Sequence, residues 1–510
     1  MGRIVSKAEY SKEIKDRLKK EKKKVVLCHG VFDLVHPGHI IHFEQAKEMG
    51  DVLVVSVTSE RFVRKGPGRP YFNDNLRMKF LESISVIDYV MLSENDTVDD
   101  IVEVVEPDIY VKGEEYKKTK NDITGKIAEE QELVEKHGGQ LRFTSGQVFS
   151  STRLINTALS GLPDDVRCYM GKFREKHSMK EIKEYVEKIS SLKVLVIGDV
   201  IIDKYTYCSV QGIMSKDMGY SARLKGTEEY FGGAAAIAGH LSSFTDNVTL
   251  MSVIGNEENI RLGMFDKMAD RIKLNLLYSD KVPTIIKRRY LTLNEKRDEY
   301  RKVFAINNIP DKPGYEEYIR QKFLEKLREN VGNYDVVFLC DFGHGLVDAE
   351  TMDIVQDSAE YLVLNCQTNS SNKGMNIITK YHRADVFTLD QQEIALAYPT
   401  YSEDEETKLK KLGCHLEGSG WLTMGSLGAM QIHNGETEIC PAFTLSVKDT
   451  VGAGDAFLSL AGIFTAAGAP VEIGTFMGNI GGALGANIVG NKESIEKVNA
   501  LKFASTLLNI

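Results

Sequence analysis

Two histidines three residues apart are the first candidates for chemistry. His36 and His39 lie in "VFDLVHPGHI", between an apolar run, "VVLCHG", and a stretch with a helical pattern, "IHFEQAKEMG". Positions i and i+3 share one face of a helix, and the helix N-terminus, with its unpaired N–H groups, favours an anion. Pro37 suits the first helical turn, and Gly38 lets a ligand approach the backbone closely. The pattern favours binding of a triphosphate and stabilisation of charge at a phosphorus under attack.

Two other interpretations of the histidine pair remain open. One histidine could cap the helix while the other is a hydrogen-bonded, partly buried side chain. A metal site is a weaker interpretation, because no cysteine or carboxylate adjoins the pair at ligand spacing.

A glycine turn followed by an aspartate is the second candidate. "DTVGAGDAF", residues 449–457, places Gly452 and Gly454 at the expected start of a helix, with Asp455 just inside it. Backbone N–H groups of such a turn can surround a developing anion, and a carboxylate there can accept a proton from an attacking hydroxyl. Taken alone, the stretch is also an acceptable helix cap.

Composition limits the classes of function. The chain has 510 residues, 42% hydrophobic and 27% charged, and a formal net charge of -9. Its length predicts two or three domains, and its charge argues against a nucleic-acid partner, so we expect local phosphate sites for small-molecule substrates. Seven scattered cysteines indicate a reducing compartment. No run of 18 apolar residues occurs, so we expect a cytoplasmic protein without a membrane partner.

The elements that must position these residues follow an α/β pattern twice. In the first part, "KVVLCHG", "DVLVVSVTS", "IDYVMLS" and "PDIYVKG" alternate with amphipathic stretches, which indicates a parallel sheet covered on both faces. After a charged stretch the pattern restarts at "LKVLVIGDVIID" and continues through "TLMSVIG", "YDVVFLCDFG", "EYLVLNC", "ADVFTLD" and "GSGWLTMGS". We predict a domain over 1–160, a helical linker over 161–190 and a second domain over 191–510.

The first domain resembles the HxGH nucleotidyltransferases, and within them the heptose-1-phosphate adenylyltransferases. The likeness rests on "GVFDLVHPGHIIHFEQAKEMGDVLVVSVTSE", "RKGPGRPYFNDNLRMKFLESISVIDYV", "PDIYVKGEEY" and "FSSTRLI". It implies a Rossmann-like domain in which His36 and His39 contact the triphosphate. It also implies catalytic Lys65, substrate-binding Asp33, Arg69 and Lys112, and nucleotide-binding Gly30, Phe32, Ser150, Ser151 and Thr152.

Some of these residues have a simpler structural interpretation. "VRKGPGRP" could be an exposed basic loop, and "SSTR" could be an ordinary helix cap. The cytidylyltransferase branch of the superfamily usually carries "RTEGIS" near the end of the domain, whereas this chain has "GQVFSSTRL". That difference favours adenylyl over cytidylyl transfer.

The second domain resembles the ribokinase/PfkB sugar kinases, and within them the heptose-7-phosphate kinases. "VLVIGDVIIDKY", "FGGAAAIAGHL", "TMGSLGAM" and "DTVGAGDAF" carry the likeness, which implies a ribokinase-like α/β sandwich with a small β lid. Asp455 is then the catalytic base, and Gly452, Ala453 and Gly454 form the anion hole. The sugar side has Asp199, Asp203, Gly232 and Gly233; the nucleotide side has Gly425, Ser426 and Gly428. The resemblance also implies that Glu393 holds Mg²⁺ through water.

Five positions depart from the kinase pattern. On the substrate side Ala236 and Asp390 replace asparagines, Asn365 and Gln367 stand where "DPK" is expected, and His344 replaces a lysine. The losses remove donors for hydroxyl and phosphate groups. Either the acceptor differs from heptose 7-phosphate, or the domain no longer catalyses phosphorylation.

Together the resemblances imply a bifunctional enzyme of nucleotide-sugar synthesis. Its kinase uses ATP on a sugar or sugar phosphate, and its transferase adds a nucleotidyl group, with Mg²⁺, ATP or CTP, and a homodimer expected. The transferase-first order is reversed relative to the bifunctional enzymes it resembles. Two alternatives remain: a cytidylyltransferase making a CDP-polyol or CDP-sugar beside a kinase-like module that only binds ligand, and a non-catalytic scaffold.

Overall fold

The computed structural model describes most of the chain, in two units. The described residues are 2–63, 70–95, 97–113, 126–144, 163–216, 219–257, 265–294, 299–310, 314–369, 372–443 and 447–509. The contacts divide the chain into Met1–Pro163 with Leu501–Ile510, and Asp164–Ala500. Within the described residues, none of the helices combines the length and the apolar composition that a bilayer-spanning segment requires.

The first unit is built on one parallel sheet. Its described strands are β1 (Arg3–Ile4), β2 (Val25–Gly30), β3 (Val52–Thr58), β4 (Tyr89–Ser93), β5 (Ile109–Lys112) and β6 (Gln140–Phe143). They are ordered β1-β4-β3-β2-β5-β6, and every pairing is parallel. The main helices are Lys15–Lys20, Pro37–Glu48, Asp74–Glu82, Asp99–Val105 and Lys126–Lys136. The parallel sheet predicted from the apolar runs is confirmed; β1 and β6 were not predicted.

Successive side chains along each strand point to opposite faces of this sheet, and they form two apolar cores, one on each face. Leu27 and Val54 belong to one apolar cluster, while Val26 and Val55 belong to the other. The strand order places β3 and β5 on opposite sides of β2, so the connections change direction at the carboxyl end of β2. Ligands of open parallel sheets bind at such a switch point. The segment that carries the two histidines begins there.

The second unit contains a larger sheet with an antiparallel edge. The strands are β7 (Val194–Gly198), β10 (Val248–Gly255), β11 (Lys273–Ser279), β14 (Val336–Asp341), β15 (Leu362–Cys366), β16 (Val386–Asp390), β17 (Ser419–Thr423), β18 (Ala429–His433) and β19 (Glu436–Cys440). Their order is β11-β10-β7-β14-β15-β16-β17-β18-β19. Pairings from β11 to β17 are parallel, and β18 and β19 pair antiparallel. Each predicted strand of this domain is present.

A separate sheet forms the lid of this unit. It consists of β8 (Val200–Ile213), β9 (Tyr220–Gly233), β12 (Ile285–Asn294) and β13 (Glu299–Asn308), ordered β13-β12-β8-β9. β8 starts two residues after β7 ends, so the lid sheet is connected directly to the carboxyl edge of the large sheet. Residues at the base of β8 are buried and those at its far end are exposed.

The second unit also contains helices. They are Asp164–Lys176, Met179–Ile189, Ala234–Leu241, Phe265–Ala269, Glu317–Asn330, Ala349–Ser358, Gln391–Ala397, Glu405–Leu416, Ala453–Ala466 and Val471–Gly485. A further helix, Lys497–Leu508, begins in the second unit and ends in the first. The first two fall in the predicted linker, and they pack into the second unit: the rings of Phe173 and Phe476 stack 4.5 Å apart. The α/β sandwich with a small lid is confirmed.

Candidate functional site

The loop that follows β2 is held by side chains from another part of the first unit. Asp33 is buried, and its Oδ1 accepts the Phe72 N–H at 3.0 Å. The Arg77 guanidinium, fully buried, donates to the Val31 carbonyl at 2.5 Å and to the Phe72 carbonyl at 3.0 Å. Phe32 has a φ of +44°, a left-handed conformation uncommon for a bulky residue. Three separate hydrogen bonds thus hold a strained loop in one conformation.

The two histidines lie where the sequence predicts them. The helix begins at Pro37, with His36 as its N-cap. The two imidazole rings stack with centroids 4.0 Å apart. The His36 backbone N–H donates to Nδ1 of His39 at 3.3 Å, so the ring proton of neutral His39 lies on Nε2. The Nε2–H of His39 is therefore a hydrogen-bond donor at the start of the helix that follows the switch point.

Two further histidines, which the sequence analysis missed, are His29 within β2 and His42 in the Pro37–Glu48 helix. His29 is hydrogen-bonded to Ser56 Oγ at 2.7 Å, and His42 to Thr144 Oγ1 at 2.9 Å. Burial, and next the charge of Lys112, lower the pKa of His29 to about 3 and that of His42 to about 4. Both rings are therefore neutral at physiological pH and add no charge near the site.

Of the remaining predicted transferase residues, two lie among the described residues and five do not. Lys112 ends β5, next to β2, and its ammonium forms an ion pair with Glu130 at 2.8 Å. Gly30 ends β2, close to the ring of Phe32. The other predicted residues, Lys65, Arg69, Ser150, Ser151 and Thr152, lie outside the described residues.

The second unit has a pocket at the carboxyl edge of its large sheet, beneath the lid. Its volume is about 220 Å³. The described residues that line it come from the lid, the sheet edge and the glycine turn: Ile201, Asp203, Gly233, Lys287, Arg289, Phe342, Gln367, Thr450, Val451, Gly452, Gly454, Asp455 and Asn491. Predicted residues for catalysis, the anion hole and the sugar side thus share one pocket.

Asp455 lies in the first turn of the Ala453–Ala466 helix and is buried. Burial, and next the charge of Asp203, raise the pKa of its carboxyl to about 7. Gln367 Nε2 donates to Asp455 Oδ1 at 3.2 Å, which opposes this rise. A carboxylate with a pKa near 7 suits proton acceptance at physiological pH.

The turn before Asp455 presents backbone rather than side chains. Gly452 is the N-cap, with a φ of +83°, and a Cβ there would lie 1.9 Å from Asn491 Oδ1. Gly454 lines the pocket, and a Cβ there would meet no atom within 4 Å. N–H groups of a first helical turn have no intrahelical acceptor, so this turn can bind an anion.

The lid contributes two cations that the sequence analysis missed. Lys287 and Arg289 of β12 line the pocket, and Arg289 forms an ion pair with Asp203 of β8. β12 pairs in parallel with β8, which aligns Lys287 with Asp203. Three consecutive cations, Lys287, Arg288 and Arg289, in the strand "IIKRRYLTL" are the signal that could have identified them, because the first and third lie on one face of the strand.

Of the other predicted sugar-side residues, Gly233 lines the pocket, whereas Gly232 and Asp199 lie outside its described lining. A Cβ on Gly232 would lie 2.6 Å from Asp203 Oδ2, so this glycine gives the carboxylate room. Asp199 is buried outside the described lining and accepts the His344 N–H at 3.3 Å. Burial, and next the charge of Asp341, raise the pKa of Asp199 to about 7.

Among the substituted kinase positions, Ala236, His344 and Asn365 are buried, Gln367 is half-buried and Asp390 is exposed. Asp390 and Glu393 form a reciprocal cap: Asp390 Oδ1 accepts the Glu393 N–H at 2.8 Å, and Glu393 Oε2 accepts the Asp390 N–H at 2.9 Å. Glu393 Oε1 accepts the Thr368 N–H at 2.9 Å. Asn365 donates to the Thr388 carbonyl at 3.3 Å, and Ala236 is buried in the Ala234–Leu241 helix. Each substituted residue has a structural partner or a buried place.

The described side chains do not form a metal-binding site by themselves. Among the residues that the structure describes, no three His, Cys, Asp or Glu side chains are arranged to hold a metal ion. Both carboxylate oxygens of Glu393 already accept backbone N–H groups.

The predicted nucleotide-side turn joins β17 to β18. A short 3₁₀ helix, Gly425–Leu427, contains Gly425 and Ser426, and the Met424 N–H donates to the Gly428 carbonyl at 2.8 Å. A Cβ on Gly428 would lie 2.1 Å from the Cys440 carbonyl oxygen. This turn lies at the same edge of the sheet as the pocket, outside its described lining.

Comparison with known proteins gives a separate match for each domain. The cytidylyltransferase-like profile matches residues 27–159, and the pfkB family carbohydrate kinase profile matches residues 191–496. The bifunctional proteins HldE of Desulfatibacillum aliphaticivorans and Citrifermentans bemidjiense are 36% and 38% identical over 149 and 143 residues. Those matches cover 29% and 27% of this chain and 29% and 28% of the relatives, so the chain spans less than a third of their length.

Solved structures resemble the chain over a longer part. Escherichia coli phosphofructokinase-2 covers 62% of this chain and 99% of its own, with 11% identity and a TM-score of 0.49. Thermotoga maritima ribokinase covers 62% of this chain and 99% of its own, with 16% identity and a TM-score of 0.46.

The family matches agree with the two sites. They support an enzyme with nucleotidyltransferase and carbohydrate kinase chemistry, in that order along the chain. The pfkB profile spans more than half of the 510 residues. The chain therefore belongs to the pfkB family of carbohydrate kinases and carries a cytidylyltransferase-like domain ahead of its kinase domain.

Proposed function

We propose that this chain makes a nucleotide sugar in two steps. The second domain phosphorylates a sugar or sugar phosphate of the heptose-phosphate type with ATP. The first domain then transfers a nucleotidyl group, AMP from ATP, to the resulting sugar 1-phosphate and releases pyrophosphate. The observation that carries this proposal is the shared pocket of Asp455 and the Gly452–Gly454 turn, on the same chain as the His36–His39 pair.

The residues of the pocket support the proposed kinase step. Asp455 accepts the proton of the acceptor hydroxyl, whose oxygen forms a bond to the γ-phosphorus of ATP while the bond to the β-phosphate oxygen breaks and ADP leaves. The N–H groups of the glycine turn stabilise the negative charge on the transferred phosphoryl group. Glu393 would hold Mg²⁺ through water, and the ion would offset negative charge on the ATP phosphates.

The transferase step uses the first helical turn of the other domain. A phosphate oxygen of the sugar 1-phosphate attacks the α-phosphorus, and the bond to the β-phosphate oxygen breaks to release pyrophosphate. His39, protonated on Nε2, donates to an oxygen of the phosphate under attack, and His36 stacks on it. Lys65, Arg69, Lys112, Ser150, Ser151 and Thr152 remain proposed ligands of the substrate and triphosphate.

The experiment is a substrate panel. Purified protein with Mg²⁺ and ATP or CTP receives sugars, sugar phosphates and sugar 1-phosphates, and ADP, pyrophosphate and nucleotide sugars are identified by mass. Release of ADP with the sugars and of pyrophosphate with the 1-phosphates is expected. Release of neither from any member of the panel would reject the proposal.

A second candidate concerns the nucleotide. The matching profile of the first domain is cytidylyltransferase-like, which favours CTP as an alternative donor and a CDP-polyol or CDP-sugar as the product. Competition between ATP and CTP in one reaction, with the product read by mass, separates the two. We further propose that the enzyme is a cytoplasmic homodimer with domains at 1–160 and 191–510, and that its domain order is reversed relative to bifunctional heptose enzymes.

A further inference from the structure

Two lid cations face the kinase pocket from one strand. Lys287 and Arg289 are two positions apart on β12, so their side chains lie on the same face of the lid. Both line the pocket, together with Asp203 and Asp455. None of the four kinase sequence motifs contains them.

Arg289 has a direct partner for its positive charge, whereas Lys287 has none among the described residues. Arg289 forms an ion pair with Asp203, and its guanidinium carbon lies 5.6 Å from the centroid of the Tyr205 ring. Lys287 makes no hydrogen bond or ion pair with any residue that the structure describes. An ammonium group held in a pocket without a direct partner is unfavourable unless a ligand supplies one.

The position of Lys287 points to the acceptor side of the pocket. It is the register partner of Asp203 on β8, and it reaches the pocket from the lid rather than from the glycine turn. Burial lowers the pKa of Lys287, and Asp203 raises it more than Asp199 or Asp455 does. The ammonium therefore interacts more strongly with the lid carboxylate than with the proposed catalytic base.

We infer that Lys287, supported by Arg289, binds an anionic group of the acceptor sugar, separate from the hydroxyl that is phosphorylated. A phosphate monoester is the anionic group that a neighbouring lysine and arginine bind best, because it carries up to two negative charges. The acceptor class is then a sugar that is already phosphorylated. This inference rests on the proposed kinase function and adds the residue that selects its substrate.

The kinetic test compares paired acceptors. Wild type and Lys287→Met receive mannose-6-phosphate and mannose, sedoheptulose-7-phosphate and sedoheptulose, and gluconate as a carboxylate probe. Wild type should prefer a phosphorylated sugar, and Lys287→Met should lower kcat/KM for it about tenfold to a hundredfold, mainly through KM. Values for the neutral sugars should stay unchanged. Gluconate measures whether a carboxylate replaces the phosphate.

Lys302→Met is the matched control, because it removes one positive charge from an exposed position of the lid strand β13. It should change none of these values. An equal loss for neutral and phosphorylated sugars in Lys287→Met would place the lysine on the transferred phosphoryl group and overturn the inference. An unchanged preference for phosphorylated sugars in Lys287→Met would also overturn the inference.

Calorimetric titration of the same sugars without ATP separates this inference from the kinase proposal. Tighter binding of the phosphorylated sugar by wild type, weakened in Lys287→Met, upholds the inference even where no ADP forms. That combination would reject only the kinase function. Absence of binding by wild type, or equal binding of both sugars, overturns the inference. Thermal unfolding of each variant verifies that it is folded.

Discussion

Gln367 donates a hydrogen bond to Asp455 at 3.2 Å, although 88 positions separate them in the sequence. The contact joins the end of β15 to the first turn of the Ala453–Ala466 helix. Gln367 stands where the kinase resemblance leads one to expect a lysine, so a neutral donor, rather than a cation, faces the proposed base. This substitution favours a base with a raised pKa.

Replacement of Gln367 should move the pH dependence of the kinase reaction. Asp455 must be ionised to accept a proton, so kcat/KM of the wild type should fall as the pH drops through about 7. Gln367→Leu removes a hydrogen bond that lowers this pKa, and the midpoint should move to higher pH. The pH profile of ADP formation measures it. Gln321→Leu, at an exposed position of the helix Glu317–Asn330, should keep the wild-type midpoint. A midpoint in Gln367→Leu that is unchanged or lower contradicts the assignment.

His39→Asn should lower pyrophosphate release by about a hundredfold or more, the usual effect of losing one donor to a developing negative charge. The asparagine carbonyl can still accept the His36 N–H, whereas the Nε2–H donor is lost. ADP formation by the other domain should be unaffected. His137→Asn, near the end of another helix of the same unit, is the control. Wild-type pyrophosphate release by His39→Asn would mean that the pair is only structural.

Two glycines of one turn should respond differently to alanine. Gly454→Ala should fold normally, because its Cβ enters open space, but should lower phosphoryl transfer because that space belongs to the pocket. Gly452→Ala should destabilise the protein by about 2 kcal/mol, since its φ is positive and its Cβ would meet Asn491. Thermal unfolding and ADP formation are measured for both. Full activity in Gly454→Ala would exclude the turn from the anion site.

Much of the architecture could be predicted because its signals are local. Apolar runs bounded by glycine or aspartate predicted the parallel strands, and the position of Pro37 predicted the helix start. The relations that build the sites are not local: Arg289 and Asp203 are 86 positions apart, and Arg77 reaches a carbonyl 46 positions away. The partner in neither contact can be read from the sequence, because the first depends on the pairing of β12 with β8 and the second on the packing of the helix Asp74–Glu82 against the loop after β2.

Arg77 provides a stability test of such a contact. Arg77→Met removes hydrogen bonds to Val31 and Phe72 and leaves Asp74 without its ion pair, so it should destabilise the protein by about 3 kcal/mol. Pyrophosphate release should fall as well, because the loop before the histidines loses its support. Lys79→Met, an exposed position on the same helix, should change the free energy of unfolding by less than about 1 kcal/mol. Equal stability of the two variants in urea unfolding would contradict the bracing role.

The most direct test of two reactions on one chain is product analysis by mass in three proteins: wild type, Asp455→Asn and His39→Asn. Each receives ATP, Mg²⁺ and either a sugar phosphate with a free anomeric hydroxyl or the corresponding 1-phosphate. Wild type should form the nucleotide sugar from both. Asp455→Asn should form it only from the 1-phosphate, and His39→Asn should stop at the 1-phosphate and ADP. Nucleotide sugar made by Asp455→Asn from the unphosphorylated anomer at the wild-type rate, or no product from either acceptor in the wild type, would contradict the account.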